Sequence, residues 1–221
     1  MTHIRNNYLF ITMKITFLLL SFLLFGLSTY PLFGAADDVL DPVVDIAGDD
    51  LQTNANYYVL PLLWAMGGGL GLGRNWNGSI CPFNVIQSAS EIENGVSVNF
   101  SPILDEDDVI RVSTDIDIKF PGAPRICSDL PIWKISDSFV TLGGVGESVT
   151  DRFRIEKNNA LPTLPAYKFV FCKAKMACQN IGISNKNGIR YLAITDDPYM
   201  MVFKKAEASL IRKVTARNKI Y

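Results

Sequence analysis

The chain has 221 residues, 48% of them hydrophobic and 19% charged, which suits one well-buried core and excludes a disordered chain. Arg5 and Lys14 are the only charges before Asp37. Of 21 basic and 22 acidic residues, the chain from Asp37 onward therefore holds 19 and 22, net −3 with no basic stripe, which excludes a phosphate-neutralising nucleic-acid binder.

The single histidine, His3, precedes the first apolar run. If that run is removed, a Ser-His-Asp or Cys-His pair and a histidine-bearing zinc site are excluded, and most hydrolase readings go with them. The chain is then expected to be no enzyme, with no metal and no cofactor. Ile15 to Leu27 is an apolar stretch of signal-peptide length preceded by Lys14, and Gly34 and Ala36 suit cleavage before Asp37. Residues 1–36 are thus a predicted export signal, with Met13 as an alternative start. The competing reading is an uncleaved anchor over Tyr8–Leu27, in which Lys14 would cost roughly 2.5–3.5 kcal/mol near the bilayer centre. Export predicts a secreted or vacuolar protein, with no stable membrane insertion after cleavage. The remaining 37–221 has no linker and reads as one domain.

Along that domain, Tyr57–Leu60 is a short predicted strand. Gly67-Gly-Gly-Leu-Gly-Leu-Gly73 lacks both phosphate-loop patterns, since Arg74 stands at the third glycine of G-x-G-x-x-G and no G-K-[ST] follows; it is expected to be a flexible apolar loop. Asn77-Gly-Ser79 and Asn99-Phe-Ser101 are glycosylation sequons, the first in a turn-like stretch and the second followed by Pro102. Val96–Phe100 alternates. Asp105-Glu-Asp-Asp108 lacks the glycine and terminal Glu of a calcium loop and reads as a solvated charge run.

From Ile110 to Phe120 the period is strictly two. Ile110, Val112, Thr114, Ile116, Ile118 and Phe120 face one side, and Arg111, Ser113, Asp115, Asp117 and Lys119 face the other. That is one half-buried strand, or two meeting at a bend. Phe153–Ile155, Tyr167–Phe171, Tyr191–Ile194 and Met201–Phe203 follow as strands, and Ala206–Arg217 has weak helical spacing. Turn signals separate the strands at Asn77-Gly78, Asn94-Gly95, Pro121-Gly122, Gly143-Gly144 and Asn187-Gly188. The pattern predicts an all-β sandwich or barrel, with a faint threefold repeat of units of about 55–60 residues. Cys81, Cys127, Cys172 and Cys178 are an even number in an oxidising compartment, so two disulfides are expected, and three pairings are open.

Val43-Val-Asp-Ile-Ala-Gly-Asp-Asp-Leu-Gln-Thr-Asn-Ala-Asn-Tyr-Tyr-Val59 resembles the N-terminal signature of the plant Kunitz (soybean trypsin inhibitor) family, with Ala47 standing where a polar residue is usual. Cys81-Pro82 with Val85-Ile-Gln87, Ile110-Arg-Val-Ser-Thr-Asp115 and Tyr167-Lys-Phe-Val-Phe-Cys172 match in order, and the Arg-Val-Ser-Thr-Asp stretch is similar to the miraculin-like branch. The resemblance implies a β-trefoil of twelve strands in three pseudo-equivalent units, with Cys81 paired to Cys127 and Cys172 to Cys178. It also implies a monomer that inhibits serine proteases through one exposed loop, held in the extended conformation a substrate adopts.

On this resemblance Ser101-Pro102 begins the reactive-site loop Ser101, Pro102, Ile103, Leu104, Asp105, Glu106. Leu104 is the specificity residue, the scissile bond precedes Asp105, and Thr53 or Asn54 braces the loop. Trypsin-directed members carry Arg or Lys where Leu104 stands, and no basic residue lies between Arg74 and Arg111. The expected partner is a chymotrypsin- or subtilisin-like protease. The acids after Leu104 would face that protease, where unpaired buried charge costs several kcal/mol. The alternative is a non-inhibitory trefoil with a storage, defence or ligand-binding role.

Overall fold

The computed structural model describes residues 14–22, 40–63, 65–103, 107–127, 130–144, 146, 151–158, 164–174 and 176–207. Residues 14–22 are helical, and among the described residues no helix is long and apolar enough to cross a membrane. Met1–Val39 and Leu40–Tyr221 form separate compact units, and every strand among the described residues lies in the second.

Twelve strands are present among the described residues: β1 Tyr57–Pro61, β2 Leu70–Gly73, β3 Asn84–Gln87, β4 Asn99–Pro102, β5 Ile116–Lys119, β6 Trp133–Ser136, β7 Phe139–Leu142, β8 Asp151–Lys157, β9 Tyr167–Lys173, β10 Gln179–Lys186, β11 Ile189–Ile194 and β12 Met201–Lys205. Six of them close a ring: β1 pairs with β12, β12 with β9, β9 with β8, β8 with β5, and β5 with β4. A bridge from Val98, just before β4, back to Tyr57 completes the circle. The other six form the hairpins β2–β3, β6–β7 and β10–β11, and their inner strands β3, β7 and β11 pair with one another in all three combinations. A six-stranded barrel with a triangular cap of three hairpins, each unit supplying four strands, is a β-trefoil. Closing the ring leaves no free barrel edge to aggregate.

Alternation places the core. Tyr57 and Val59 of β1, Ile116 and Ile118 of β5, and Phe203 of β12 are fully buried, while their neighbours in each strand are partly exposed. Phe100 of the first unit meets Phe169 and Phe203 of the third with ring centroids 5.4–6.3 Å apart, and Trp133 of the second packs edge-on to Phe169 and Phe153. Edge and tilted contacts of this kind add to the area term of burying such large side chains.

The alternation from Ile110 to Phe120 resolves as two segments meeting at a bend. Ser113 adopts φ +60° there, yet Ile110, Val112, Ile116, Ile118 and Phe120 all remain buried. The expected flexible loop over Gly67–Gly73 is corrected. Leu70–Gly73 is strand β2, and the glycines before it pack backbone to backbone. A Cβ on Gly69 would lie 2.0 Å from the Asn94 carbonyl oxygen, and one on Gly68 would lie 2.2 Å from that of Ser90. The run is glycine-rich because another chain segment lies where side chains would go. The buried Gln87 fastens it, donating from Nε2 to the Met66 and Gly68 carbonyls while Arg190 donates to its Oε1.

Disulfides join Cys81 to Cys127 and Cys172 to Cys178, the pairing that the resemblance implies. The first ties the entry to β3 to the β5–β6 connection, and the second closes the β9–β10 connection. Ala206 and Glu207 continue past β12 without helix, and the rest of the expected helical tail lies outside the described residues.

Candidate functional site

The β4–β5 connection is held from both ends by one turn of the chain. That turn, residues 52–55, follows from the local sequence. Asp45 is buried, and its Oδ1 accepts from the N–H groups of Ala47 (2.8 Å) and Asp49 (3.1 Å), folding the chain tightly at Gly48, whose φ of +88° suits glycine. The chain then returns through Leu51, whose N–H donates to the Val43 carbonyl and whose carbonyl accepts from Ile110. Tyr57 of β1 reaches back, its hydroxyl oxygen accepting the Gln52 N–H at 2.9 Å.

On the incoming side, β4 runs antiparallel to β5 with Ser101 opposite Asp117 and Pro102 opposite Ile116. Asn99, at the start of β4, donates from Nδ2 to the carbonyls of Thr53 (2.7 Å) and Ala55 (3.0 Å). Ile103 N–H donates to the Asp115 carbonyl, and Lys119 Nζ donates to Ser101 Oγ at 3.4 Å. On the outgoing side, Thr53 N–H donates to the Asp108 carbonyl at 2.9 Å, and Gln52 bridges Val109. The two limbs are thus both hydrogen-bonded to the same short turn.

Thr53 acts through its backbone, donating to one limb and accepting from the other. The Asn54 side chain is exposed and takes no hydrogen bond among the described residues. Ser101, Pro102 and Ile103 are half-buried on the incoming limb. Leu104, Asp105 and Glu106 lie outside the described residues.

The acidic run divides. Asp107 faces its own chain, its Oδ2 accepting from Arg111 Nε (2.9 Å) and Nη2 (2.7 Å) and its Oδ1 from the Val109 N–H (3.2 Å). Arg111 also donates to the Leu40 carbonyl. The Arg111 guanidinium, helped by the Val109 N–H, holds the Asp107 carboxyl below the ordinary carboxylate range. The expectation of a solvated run is corrected at this residue, which is paired with Arg111. Nothing in the local sequence marked Asn99 as a brace, because its partners lie more than forty residues away. Beneath the loop, Asp115 is paired with Arg152 at 3.1 Å and with Arg154, which anchors the bend after Ser113.

The barrel is thus a β-trefoil in which both described limbs of the β4–β5 connection are hydrogen-bonded to the turn at residues 52–55. Residues 43–205 match the family described as trypsin and protease inhibitor, the legume Kunitz family, and the chain belongs to it. The chain is 38% identical to the 21 kDa seed protein of Theobroma cacao over 84% of its own length and 91% of the relative's. It is 34% identical to miraculin of Synsepalum dulcificum, over 87% and 97%. Among solved structures, the rice bifunctional alpha-amylase/subtilisin inhibitor superposes with a TM-score of 0.64 at 34% identity, covering 76% of this chain and all of that one. Soybean trypsin inhibitor, solved in complex with porcine trypsin, superposes with a TM-score of 0.65 at 26% identity over 76% and 100%.

Proposed function

We propose that the chain is a secreted or vacuolar inhibitor of serine endopeptidases that presents Leu104 to a chymotrypsin- or subtilisin-like pocket. The observation that carries this reading is the frame, in which both limbs of the Ser101–Asp108 loop are hydrogen-bonded to the turn at Thr53. A loop held extended before docking loses little conformational entropy on binding, and after cleavage its severed ends stay side by side. The soybean inhibitor bound to trypsin supports the mode of action, and the relationship to an alpha-amylase/subtilisin inhibitor supports a hydrophobic specificity residue. With no basic residue between Arg74 and Arg111, trypsin's acidic pocket has no partner here. Asp107 turns away onto Arg111, which lowers the charge that a docked protease must desolvate. Removal of residues 1–36 on export completes the reading, with the domain from Asp37 acting as a monomer.

The test is a specificity exchange. Leu104→Arg is expected to create tight trypsin inhibition while weakening chymotrypsin and subtilisin inhibition at least 10-fold. A Leu104→Arg protein that is folded and inhibits trypsin no better than the parent contradicts the assignment of Leu104. A second reading, a non-inhibitory storage or defence trefoil, draws on Asp105 and Glu106 beside the scissile position and on the relatives named 21 kDa seed protein and miraculin. It predicts no inhibition by either form.

A further inference from the structure

The two sequons are placed in opposite chemical situations. Asn77 sits at the tip of the β2–β3 connection, exposed, in a turn closed by Asn75 N–H to the Ser79 carbonyl and by Gly78 N–H to the Asn75 carbonyl. Asn75 is buried at 7% exposure; its Oδ1 accepts the Asn77 N–H and its Nδ2 donates to the Pro82 carbonyl, which fixes the base of the turn. The Asn77 Oδ1 accepts the Ser79 N–H at 2.9 Å, while its Nδ2 makes no hydrogen bond among the described residues. The one atom that glycosylation modifies is therefore uncommitted among the described residues, on an exposed side chain.

Asn99 is the reverse. It is half-buried in β4, and both N–H bonds of its Nδ2 are used, on Thr53 and Ala55. A glycosylated amide retains a single N–H, so one carbonyl would lose its donor. The first sugar would also have to occupy the space now filled by that carbonyl, which lies 2.7 or 3.0 Å from the nitrogen. A partly buried carbonyl without a donor carries an uncompensated desolvation penalty before any steric term. A chain modified at Asn99 while unfolded could not close the loop frame.

We propose that the exported, folded protein carries one N-linked glycan, on Asn77, and that Asn99 is unmodified in it because the loop frame closes only with both N–H bonds of the Asn99 amide available to Thr53 and Ala55. In the modification, Asn77 Nδ2 attacks the anomeric carbon of a lipid-pyrophosphate-linked oligosaccharide. The new C–N bond replaces the C–O bond to the lipid pyrophosphate, which leaves, and the amide proton passes to a base of the transferring enzyme. The inference rests on the chain entering the secretory pathway, so the experiment separates the two.

The full chain is expressed in plant cells with and without a strong secretory leader added ahead of Met1. The purified protein is treated with an amidase that converts each glycosylated Asn to Asp in isotopically heavy water, and its peptides are mapped. The expected result is the mass label at residue 77 alone. Ser79→Ala is expected to abolish the glycan, and Ser101→Ala to leave it in place. A label at residue 99 in folded, disulfide-bonded protein, or none at residue 77 when the added leader has driven export, overturns the proposal. If only the native-leader form lacks both cleavage and glycan, the export reading fails while the Asn77 assignment stands on the other arm.

Discussion

The β4–β5 and β10–β11 connections both reverse an antiparallel pair, but different parts of the chain hold them. At β10–β11 two residues suffice. Asn187 and Gly188 take φ of +53° and +78°, Lys186 pairs directly with Ile189, and the turn's twist matches its strands. At β4–β5 the closure comes from elsewhere: a side chain at the foot of β4, a backbone turn more than forty residues earlier, and an ion pair on the outgoing limb. A turn that determines itself is robust and featureless. A loop held from outside can carry an exposed, extended segment, which is what a substrate-like inhibitor needs.

The largest way to break the frame is from below. Phe100 of β4 packs against Phe169 and Phe203 at the barrel centre, so Phe100→Ala is expected to cost about 3–5 kcal/mol of global stability, read by denaturant unfolding. Loss of under 1 kcal/mol would mean the aromatic cluster does not support the loop's base. Next comes Asn99→Ala, which removes the donor to two carbonyls and is expected to cost about 1–3 kcal/mol. Protease affinity should fall at least 10-fold and loop cleavage should speed up, whereas a purely structural role would lower stability and leave cleavage unchanged.

The self-contained turn supplies the contrast. Gly188→Ala meets no neighbour but forces a side chain into the left-handed region, at about 1–2 kcal/mol, and inhibition should be unaltered. A change in inhibition would show that the two connections are coupled. The smallest effect is confined to pH. Arg111 and the Val109 N–H depress the folded Asp107 carboxyl, so its contribution is complete above the ordinary Asp value of about 3.9 and is lost as pH falls through the lower folded value. Faster exchange of the Val109 amide only below that range would fit. Exchange already rising at pH 5 to 6 would not.

Tyr199 gives an opposite check away from the loop. Burial raises its phenol above the ordinary value, so stability holds below about pH 10 and declines above it, where the unfolded chain ionises first. Tyr199→Phe should flatten that alkaline limb.

The same contrast explains how much could be read in advance. Asn187-Gly188 announces its hairpin because the φ values it needs belong to those two residues. The β6–β7 hairpin went unmarked because Asp137 and Ser138 adopt φ of +49° and +69° without a glycine, held by the strands rather than by preference. The Ile110–Phe120 alternation showed its buried face but could not place the bend, which depends on Ser113 donating through its backbone to Ile155. In the candidate site, the Asp107–Arg111 pair was not legible, because residues four apart meet by rule only on a helix and this segment is not helical. The role of Asn99 was not legible either, because a sequon and a brace are the same three letters until Thr53 and Ala55 are brought beside them.

The most direct test of the loop as a substrate-like inhibitor is a titration of the purified protein against chymotrypsin and subtilisin, with the termini sequenced after long incubation. One-to-one inhibition of either enzyme, with a single new N-terminus at Asp105, is the expected result. Rapid multi-site degradation, or no inhibition from folded protein with both disulfides formed, would contradict it.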